Sequence, residues 1–190
     1  MGKRIYTMLI SGLLILSVLH ADDTKKKVSD FTLDDYNGTK HSLTQYRASK
    51  AIVLMFVATQ CPVSNAYNER MVKLYADYRE KGITFLGINS NKQEGVDEIR
   101  NHSKEHGFEF PVLKDWNNAI ADKLQASVTP EIYVLNGNLE VLYHGRIDDS
   151  QRENRITTTD LRTALDSVLS GKPVPIQETK AFGCTIKRIK

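Results

Sequence analysis

Residues 51–64 have the sequence AIVLMFVATQCPVS, which is the strongest indication of the fold in this chain. The first seven residues form an unbroken apolar run, typical of a strand that is buried on both faces within a parallel sheet. Cys61 follows this strand, and Pro62 suits the first position of a helix because its missing N–H would be unpaired there anyway. The stretch therefore predicts a turn from strand to helix that carries a cysteine.

Strand and helix patterns alternate along the rest of the chain. The predicted elements are, in chain order, a hairpin around Asn37-Gly38, the strand 51–57, a helix that ends at Gly82, a strand at 83–88, helices at about 95–106 and 118–126, a hairpin around Asn136-Gly137 and a closing helix at 159–169. This order predicts an α/β fold with a mixed central sheet, helices on both faces, an N-terminal hairpin and an extended C-terminal tail.

The composition excludes several classes of protein. A length of 190 residues fits one domain. The net charge of +3 is too small for the strongly basic face of a nucleic-acid-binding protein, so we expect no nucleic-acid partner. Two cysteines exclude a disulfide-rich scaffold and a cysteine-based zinc site, but they suffice for one disulfide or for one reactive thiol and its partner.

The N-terminus has the pattern of a secretory signal peptide. Lys3 and Arg4 precede an apolar run at 5–19, which is shorter than the roughly 20 residues of a membrane-spanning helix. We expect cleavage of residues 1–21, a polar leader at 22–27 and no stable membrane span afterwards. The protein would then be periplasmic or secreted, where disulfides persist. An uncleaved membrane anchor is the alternative.

The two cysteines have different contexts. Cys61 begins a helix, whose free N–H groups and partial positive charge stabilise a thiolate. Cys184 lies in a tail at 172–190, beyond a single domain predicted at 28–171, and could reach back to Cys61 as a resolving thiol. The alternatives are a packed, unreactive Cys61, a static disulfide that fixes the tail, and pairing of Cys184 with another protein.

The residues around both cysteines resemble those of thioredoxin-fold redoxins, the broad group of thioredoxin-like and AhpC/TSA-like proteins exported by bacteria. The likeness spans about residues 28–171 and rests on the strand 52–57, on ATQCPVS at 58–64 and on VTPE at 128–131. In the tail, GCTI at 183–186 resembles the Gly-Cys-x-Ile ending of an exported bacterial subgroup.

The resemblance implies a site and an activity. Pro130 would form a cis-proline loop facing Cys61, and the backbone of residues 128–129 would pair with an extended substrate segment. The implied activity is thiol-disulfide exchange, in which Cys61 attacks a protein disulfide, Cys184 resolves the product and an external thiol reductant reopens the bridge. We expect no cofactor and no resident metal.

Three further residues complete the predicted site. Ser64 stands where a Cys-x-x-Cys motif has its second cysteine, and its hydroxyl either donates a hydrogen bond to the sulfur anion or caps the helix. Thr129 precedes the predicted cis proline. Glu131 follows it and is the charged group expected nearest to the thiol, where it would transfer protons or form a surface ion pair.

A thiol peroxidase, that is a peroxiredoxin-like antioxidant, is the closest alternative activity. It would use Cys61 on a peroxide substrate. The peroxiredoxin pattern places Pro seven residues, and Thr or Ser three residues, before its reactive cysteine, where this chain has Leu54 and Ala58. This departure argues against a peroxide-binding site of that kind.

A non-enzymatic binding module is the second alternative. It would bind a partner protein on the cis-proline face, or copper through Cys61, Cys184 and a histidine such as His144. His102 and His106 are four residues apart on a predicted helix, where two histidines can chelate a metal. Their polar neighbours favour a solvated helix face instead.

Overall fold

The computed structural model describes residues 26–189 of the chain. The predicted signal peptide at 1–21 and most of the predicted leader at 22–27 lie outside these residues. Within the described part, no helix is both long and apolar enough to cross a membrane.

The strands of the described part are β1 (Thr32–Asp34), β2 (Lys40–Ser42), β3 (Ala51–Phe56), β4 (Ile83–Asn89), β5 (Val112–Lys114), β6 (Val128–Thr129), β7 (Glu131–Leu135), β8 (Val141–Gly145) and β9 (Cys184–Thr185). The α-helices are α1 (Pro62–Asn65), α2 (Asn68–Tyr78), α3 (Val96–Glu105), α4 (Ala119–Leu124) and α5 (Asp160–Leu169). Short 3₁₀ turns lie at Leu43–Tyr46, Arg79–Lys81 and Glu153–Arg155.

A five-stranded mixed sheet in the order β5-β4-β3-β7-β8 forms the centre of the fold. β3, β4 and β5 are parallel, whereas β7 is antiparallel to both β3 and β8. All six residues of β3 are buried, as the unbroken apolar run predicts. Met55 packs in the core with α2, α3 and α5, whereas Leu54 packs in a second core with α4. The predicted mixed sheet with helices on both faces is confirmed, and the arrangement is thioredoxin-like.

The predicted helix after Cys61 is interrupted. α1 ends at Asn65 and α2 begins at Asn68, with a turn between them. Tyr67 in this turn is 1 % exposed, and its hydroxyl donates to Asp148 Oδ1 at 3.0 Å. Tyr67 is thus buried in the core at the point where the helix is interrupted. The apolar spacing of the sequence does not predict this interruption.

The C-terminal tail is packed along the sheet. The backbone N–H of Thr179 donates to the carbonyl of His144 in the edge strand β8 at 2.9 Å. Gly145 has a φ of 150°, and a side chain there would overlap Thr179. Farther on, β9 forms a separate two-stranded antiparallel sheet with β6. The tail therefore extends the fold across the end of the sheet that carries Cys61.

Candidate active site

Cys61 occupies the N-cap of α1. The residue is 3 % exposed, and its Sγ accepts a hydrogen bond from the backbone N–H of Ser64 at 3.2 Å. Pro62 occupies the first turn of the helix, as predicted. A backbone N–H directed at the sulfur stabilises the negative charge of a thiolate, so the local geometry favours a nucleophilic cysteine.

The loop that contains Pro130 faces this sulfur. The peptide bond between Thr129 and Pro130 is cis, and the carbonyl oxygen of Thr129 lies 3.4 Å from Cys61 Sγ. Thr129 is 2 % exposed, and its hydroxyl has no hydrogen-bond partner within residues 26–189. The structure thus brings together Cys61, Thr129 and Pro130 in the arrangement that the resemblance implies.

Cys184 reaches Cys61 and forms a disulfide with it. Their Cα atoms are 5.9 Å apart although the residues are separated by 123 positions. The antiparallel pairing of β6 with β9 places Thr129 opposite Cys184 and Val128 opposite Thr185. The backbone that was expected to bind an extended substrate segment is therefore paired with the tail of the chain itself.

Residues on both sides of Cys184 also contact the domain. Gly183 lies so close to the loop that a Cβ atom there would collide with the carbonyl group of Thr129. Ile186 is 3 % exposed, and its N–H donates to the carbonyl of Ser127 at 3.0 Å. The N–H of Lys187 donates to Asn91 Oδ1 at 2.7 Å. The backbone of the tail beyond Cys184 is thus hydrogen bonded to the domain.

The side chain of Ser64 does not donate a hydrogen bond to the sulfur of Cys61. Its hydroxyl is fully buried and accepts a hydrogen bond from the N–H of Ala58 at 3.2 Å. The hydrogen bond to Cys61 Sγ comes from the backbone of Ser64 instead. The hydroxyl therefore ties the start of α1 to the end of β3, and neither of the two roles weighed for it matches this geometry.

Glu131 holds the cis-proline loop. One carboxylate oxygen accepts the N–H groups of Ser127 and Val128 at 2.8 and 3.1 Å, and the other accepts His144 Nε2 at 2.7 Å and the Tyr133 hydroxyl at 3.2 Å. Burial acts to raise the pKa of Glu131, but the hydrogen bonds from His144 and the two N–H groups outweigh it and lower the pKa. The Glu131 carboxylate is therefore a buried anion that positions the loop. Of the two roles expected from the sequence, the surface ion pair is wrong because the side chain is buried.

Replacing Glu131 with glutamine should destabilise the protein by about 2–4 kcal/mol at neutral pH, because several donors lose a charged acceptor. Since the folded pKa of Glu131 is lowered, its carboxylate stabilises the fold above the usual value of 4.5, and this contribution disappears as the pH falls through the folded pKa. The difference between wild type and Glu131→Gln in urea unfolding should therefore shrink from pH 7 to acidic pH.

The matched control for this substitution is Glu80→Gln. The side chain of Glu80 is 87 % exposed and forms a surface ion pair with Arg79 at 3.5 Å, so its loss should change stability by less than about 0.5 kcal/mol. A Glu131→Gln protein as stable as this control at neutral pH would contradict the role assigned to the buried carboxylate.

A second buried carboxylate supports the loop before Cys61, and the sequence analysis missed it. Glu94 is fully buried and accepts the N–H groups of Thr59 and Gln60 at 2.8 and 3.2 Å. It also accepts Asn91 Nδ2 at 2.8 Å, and Asn91 in turn binds the N–H of Lys187 in the tail. One polar network thus connects both cysteine-bearing segments, and no local pattern in the sequence marks Glu94.

The segment from Arg146 to Asp149 directly follows β8. In the structure, Arg146 Nε pairs with Asp160 at the start of α5 at 2.8 Å. Asp148 is 3 % exposed and pairs with Arg70 of α2 at 2.7 Å. These contacts fasten two helices to the end of β8, so the segment has a structural part in the fold.

The histidines of the described residues are not arranged with the cysteines as a copper site. Across residues 26–189, no group of three His, Cys, Asp or Glu residues could hold a metal ion. Both sulfurs are joined to each other, and His144 Nε2 is engaged by Glu131. The rings of His102 and His106 lie 4.4 Å apart, and burial, followed by the neighbouring His106, lowers the pKa of His102. In this oxidised state the cysteines offer no thiolate ligand.

Comparisons with known proteins agree with this geometry. The Halalkalibacterium halodurans protein Thiol-disulfide oxidoreductase ResA is 26% identical over 113 residues, covering 60% of this chain and 62% of that protein. The Arabidopsis thaliana protein Probable glutathione peroxidase 2 is 32% identical over 99 residues, covering 49% of this chain and 58% of that protein. The chain thus spans less than two thirds of the length of either relative.

Solved structures match most of the chain. The crystal structure of a hypothetical protein from Sinorhizobium meliloti 1021 has a TM-score of 0.81 and 31% sequence identity, and the match covers 87% of this chain and 94% of that one. The family model described as AhpC/TSA family matches residues 24–147, which is more than half of the chain and includes Cys61 and the cis-proline loop. The protein therefore belongs to the AhpC/TSA family.

Proposed function

We propose that the protein is an exported thiol-disulfide oxidoreductase with Cys61 as nucleophile and Cys184 as distal resolving thiol. The observation that carries this proposal is the disulfide between these two residues, formed directly beside the cis-proline loop. The thiol-disulfide oxidoreductase activity for which the ResA relative is named supports the reaction class. The signal-like sequence at 1–21 supports a location in the periplasm or outside the cell.

The proposed cycle transfers two electrons to a protein disulfide. The Cys61 thiolate attacks one sulfur of the substrate disulfide, forms a mixed disulfide and releases the other substrate sulfur as a thiolate. The Cys184 thiolate then attacks Cys61 Sγ, closes the observed bridge and releases the second substrate thiolate. Two equivalents of an external thiol reduce the bridge and leave as a disulfide. The Ser64 N–H stabilises the charge on Cys61 before it attacks.

A redox titration of the folded protein tests this cycle. In mixtures of reduced and oxidised dithiothreitol, we expect the bridge between Cys61 and Cys184 to open and close reversibly while the far-ultraviolet circular dichroism stays unchanged. Alkylation of free thiols followed by mass spectrometry measures the fraction that is open. A bridge that opens only after the protein has been unfolded would identify a static disulfide and overturn the proposal.

Peroxide reduction is the second candidate function, favoured by the family and by the glutathione peroxidase relative. A peroxide would oxidise the Cys61 thiolate to a sulfenic acid, and Cys184 would close the bridge and release water. Leu54 is fully buried in the core and offers no polar group for a peroxide. Peroxide consumption that depends on both cysteines, without disulfide exchange, would favour this function over the first.

A further inference from the structure

We propose that the tail occupies the binding groove of an external polypeptide substrate, and that this groove selects a cysteine preceded by glycine and followed two residues later by an aliphatic residue. The groove consists of the backbone of residues 127–130 and the apolar pocket that holds Ile186. This inference deepens the proposed function and rests on it, because it describes which disulfide partners Cys61 accepts.

The position before the reacting cysteine has no room for a side chain. A Cβ atom on Gly183 would overlap the carbonyl oxygen and carbon of Thr129 and lie 3.3 Å from the nitrogen of Pro130. All three obstacles are backbone atoms, so no side-chain rotation relieves the overlap. The loop also resists displacement, because Glu131 holds the N–H groups of the two residues that precede Thr129.

The second residue after the cysteine is bound in an apolar pocket. Ile186 is 3 % exposed and belongs to the core cluster that contains α4, and its N–H binds the carbonyl of Ser127. Burying an aliphatic side chain of this size contributes a large part of the affinity of a short peptide. Thr185, between the cysteine and this pocket, is exposed, so the groove does not distinguish side chains at that position.

A substrate segment that enters this groove reacts in the same register as the tail. Its cysteine lies opposite Thr129, where Cys184 lies in the bridged state. The Cys61 thiolate attacks the sulfur of that cysteine, the substrate's former disulfide partner leaves as a thiolate, and the tail is displaced for this step. The tail is therefore an internal competitor whose sequence reports the preference of the groove.

The test uses the full chain carrying Cys184→Ser, so that Cys61 is the reacting thiol while the tail competes equally with every probe. The first probe is a peptide containing Phe-Gly-Cys-Thr-Ile, with its cysteine activated as the mixed disulfide of thionitrobenzoate. Release of the coloured thiolate gives the rate of attack. We expect about a tenfold or greater loss of rate when alanine replaces the glycine or serine replaces the isoleucine.

Two controls separate groove selectivity from intrinsic reactivity. A peptide with serine in place of the threonine should react within about twofold of the first peptide, because that position is exposed. Each rate is divided by the rate of the same peptide with glutathione. Equal normalised rates for the glycine and alanine peptides would overturn the inference while leaving disulfide exchange intact. No reaction of Cys61 with any probe, including activated glutathione, would overturn the proposed function itself.

Discussion

Replacing Cys61 with serine is expected to reduce the catalysed reduction of insulin by dithiothreitol to the uncatalysed rate. The proposed cycle begins with attack by the Cys61 thiolate, and a serine hydroxyl is not ionised at neutral pH, so the first bond does not form. The rate is followed by the turbidity of the reduced insulin chains. The effect should be complete, because the remaining cysteine is not held beside the Ser64 N–H that stabilises the Cys61 sulfur.

The matched control is Cys184→Ser, which loses the same disulfide but keeps the nucleophile. This variant should also fail to turn over efficiently, yet it should accumulate a mixed disulfide between Cys61 and the substrate that intact-protein mass spectrometry detects. Cys61→Ser should show no such adduct. A mixed disulfide on the Cys61→Ser protein, or none on the Cys184→Ser protein, would contradict the assignment of nucleophile and resolving thiol.

The central sheet could be predicted from the sequence because its signals are local. The run at 51–57 is apolar at every position, and a strand buried on both faces requires this. The Asn-Gly pair at 37–38 identifies the first hairpin because both residues tolerate positive φ. Leu139, in contrast, adopts a φ of 64° in the second hairpin, which an aliphatic residue rarely does, and β8 begins only at Val141.

The candidate site could be predicted only in part. Cys61 was found because a helix start has a local signature, whereas Pro130 was expected at the site only because the surrounding residues resemble those of thioredoxin-fold redoxins. Ser64 and Glu131 take their roles from the backbone N–H groups that they bind, those of Ala58 and Ser127. The sequence does not show which N–H groups will lie near a side chain, because this depends on the tertiary structure. The carboxylate of Glu131 was expected beside the thiol, whereas in the structure it accepts the N–H groups of Ser127 and Val128 in the loop.

The sequence led us to expect that Cys184 can reach Cys61, but the strand pairing by which the tail docks could not be predicted because it joins residues distant in sequence. Polar residues and prolines at 172–180 are typical of a solvated tail, and pairing of β9 with β6 joins segments far apart along the chain. One local sign was available: a glycine directly before Cys184. The reason for a glycine at this position is visible only in the structure, where the carbonyl of Thr129 leaves no room for a Cβ atom.

Gly183→Ala should therefore weaken the bridge between Cys61 and Cys184. The added methyl group collides with the backbone of Thr129 and forces the tail away from the loop. Overpacking of this kind costs about 1–3 kcal/mol, which corresponds to about a 5- to 150-fold lower equilibrium constant for closing the disulfide. Equilibration in glutathione redox buffers, followed by alkylation and mass spectrometry, measures this constant directly.

The matched control is Gly95→Ala at the N-cap of α3. Its φ is −83°, and a Cβ atom there meets nothing within 4 Å, so the same change of residue should leave the redox equilibrium unaltered. Unfolding of the reduced forms of both variants should differ little, since the strain in Gly183→Ala is relieved once the tail is free to move. If the disulfide of Gly183→Ala were as stable as that of the control, the close approach of the tail to Thr129 would not constrain the bridge. The specificity proposed for external substrates would then lose its physical basis as well, because the same contact excludes a side chain in both cases.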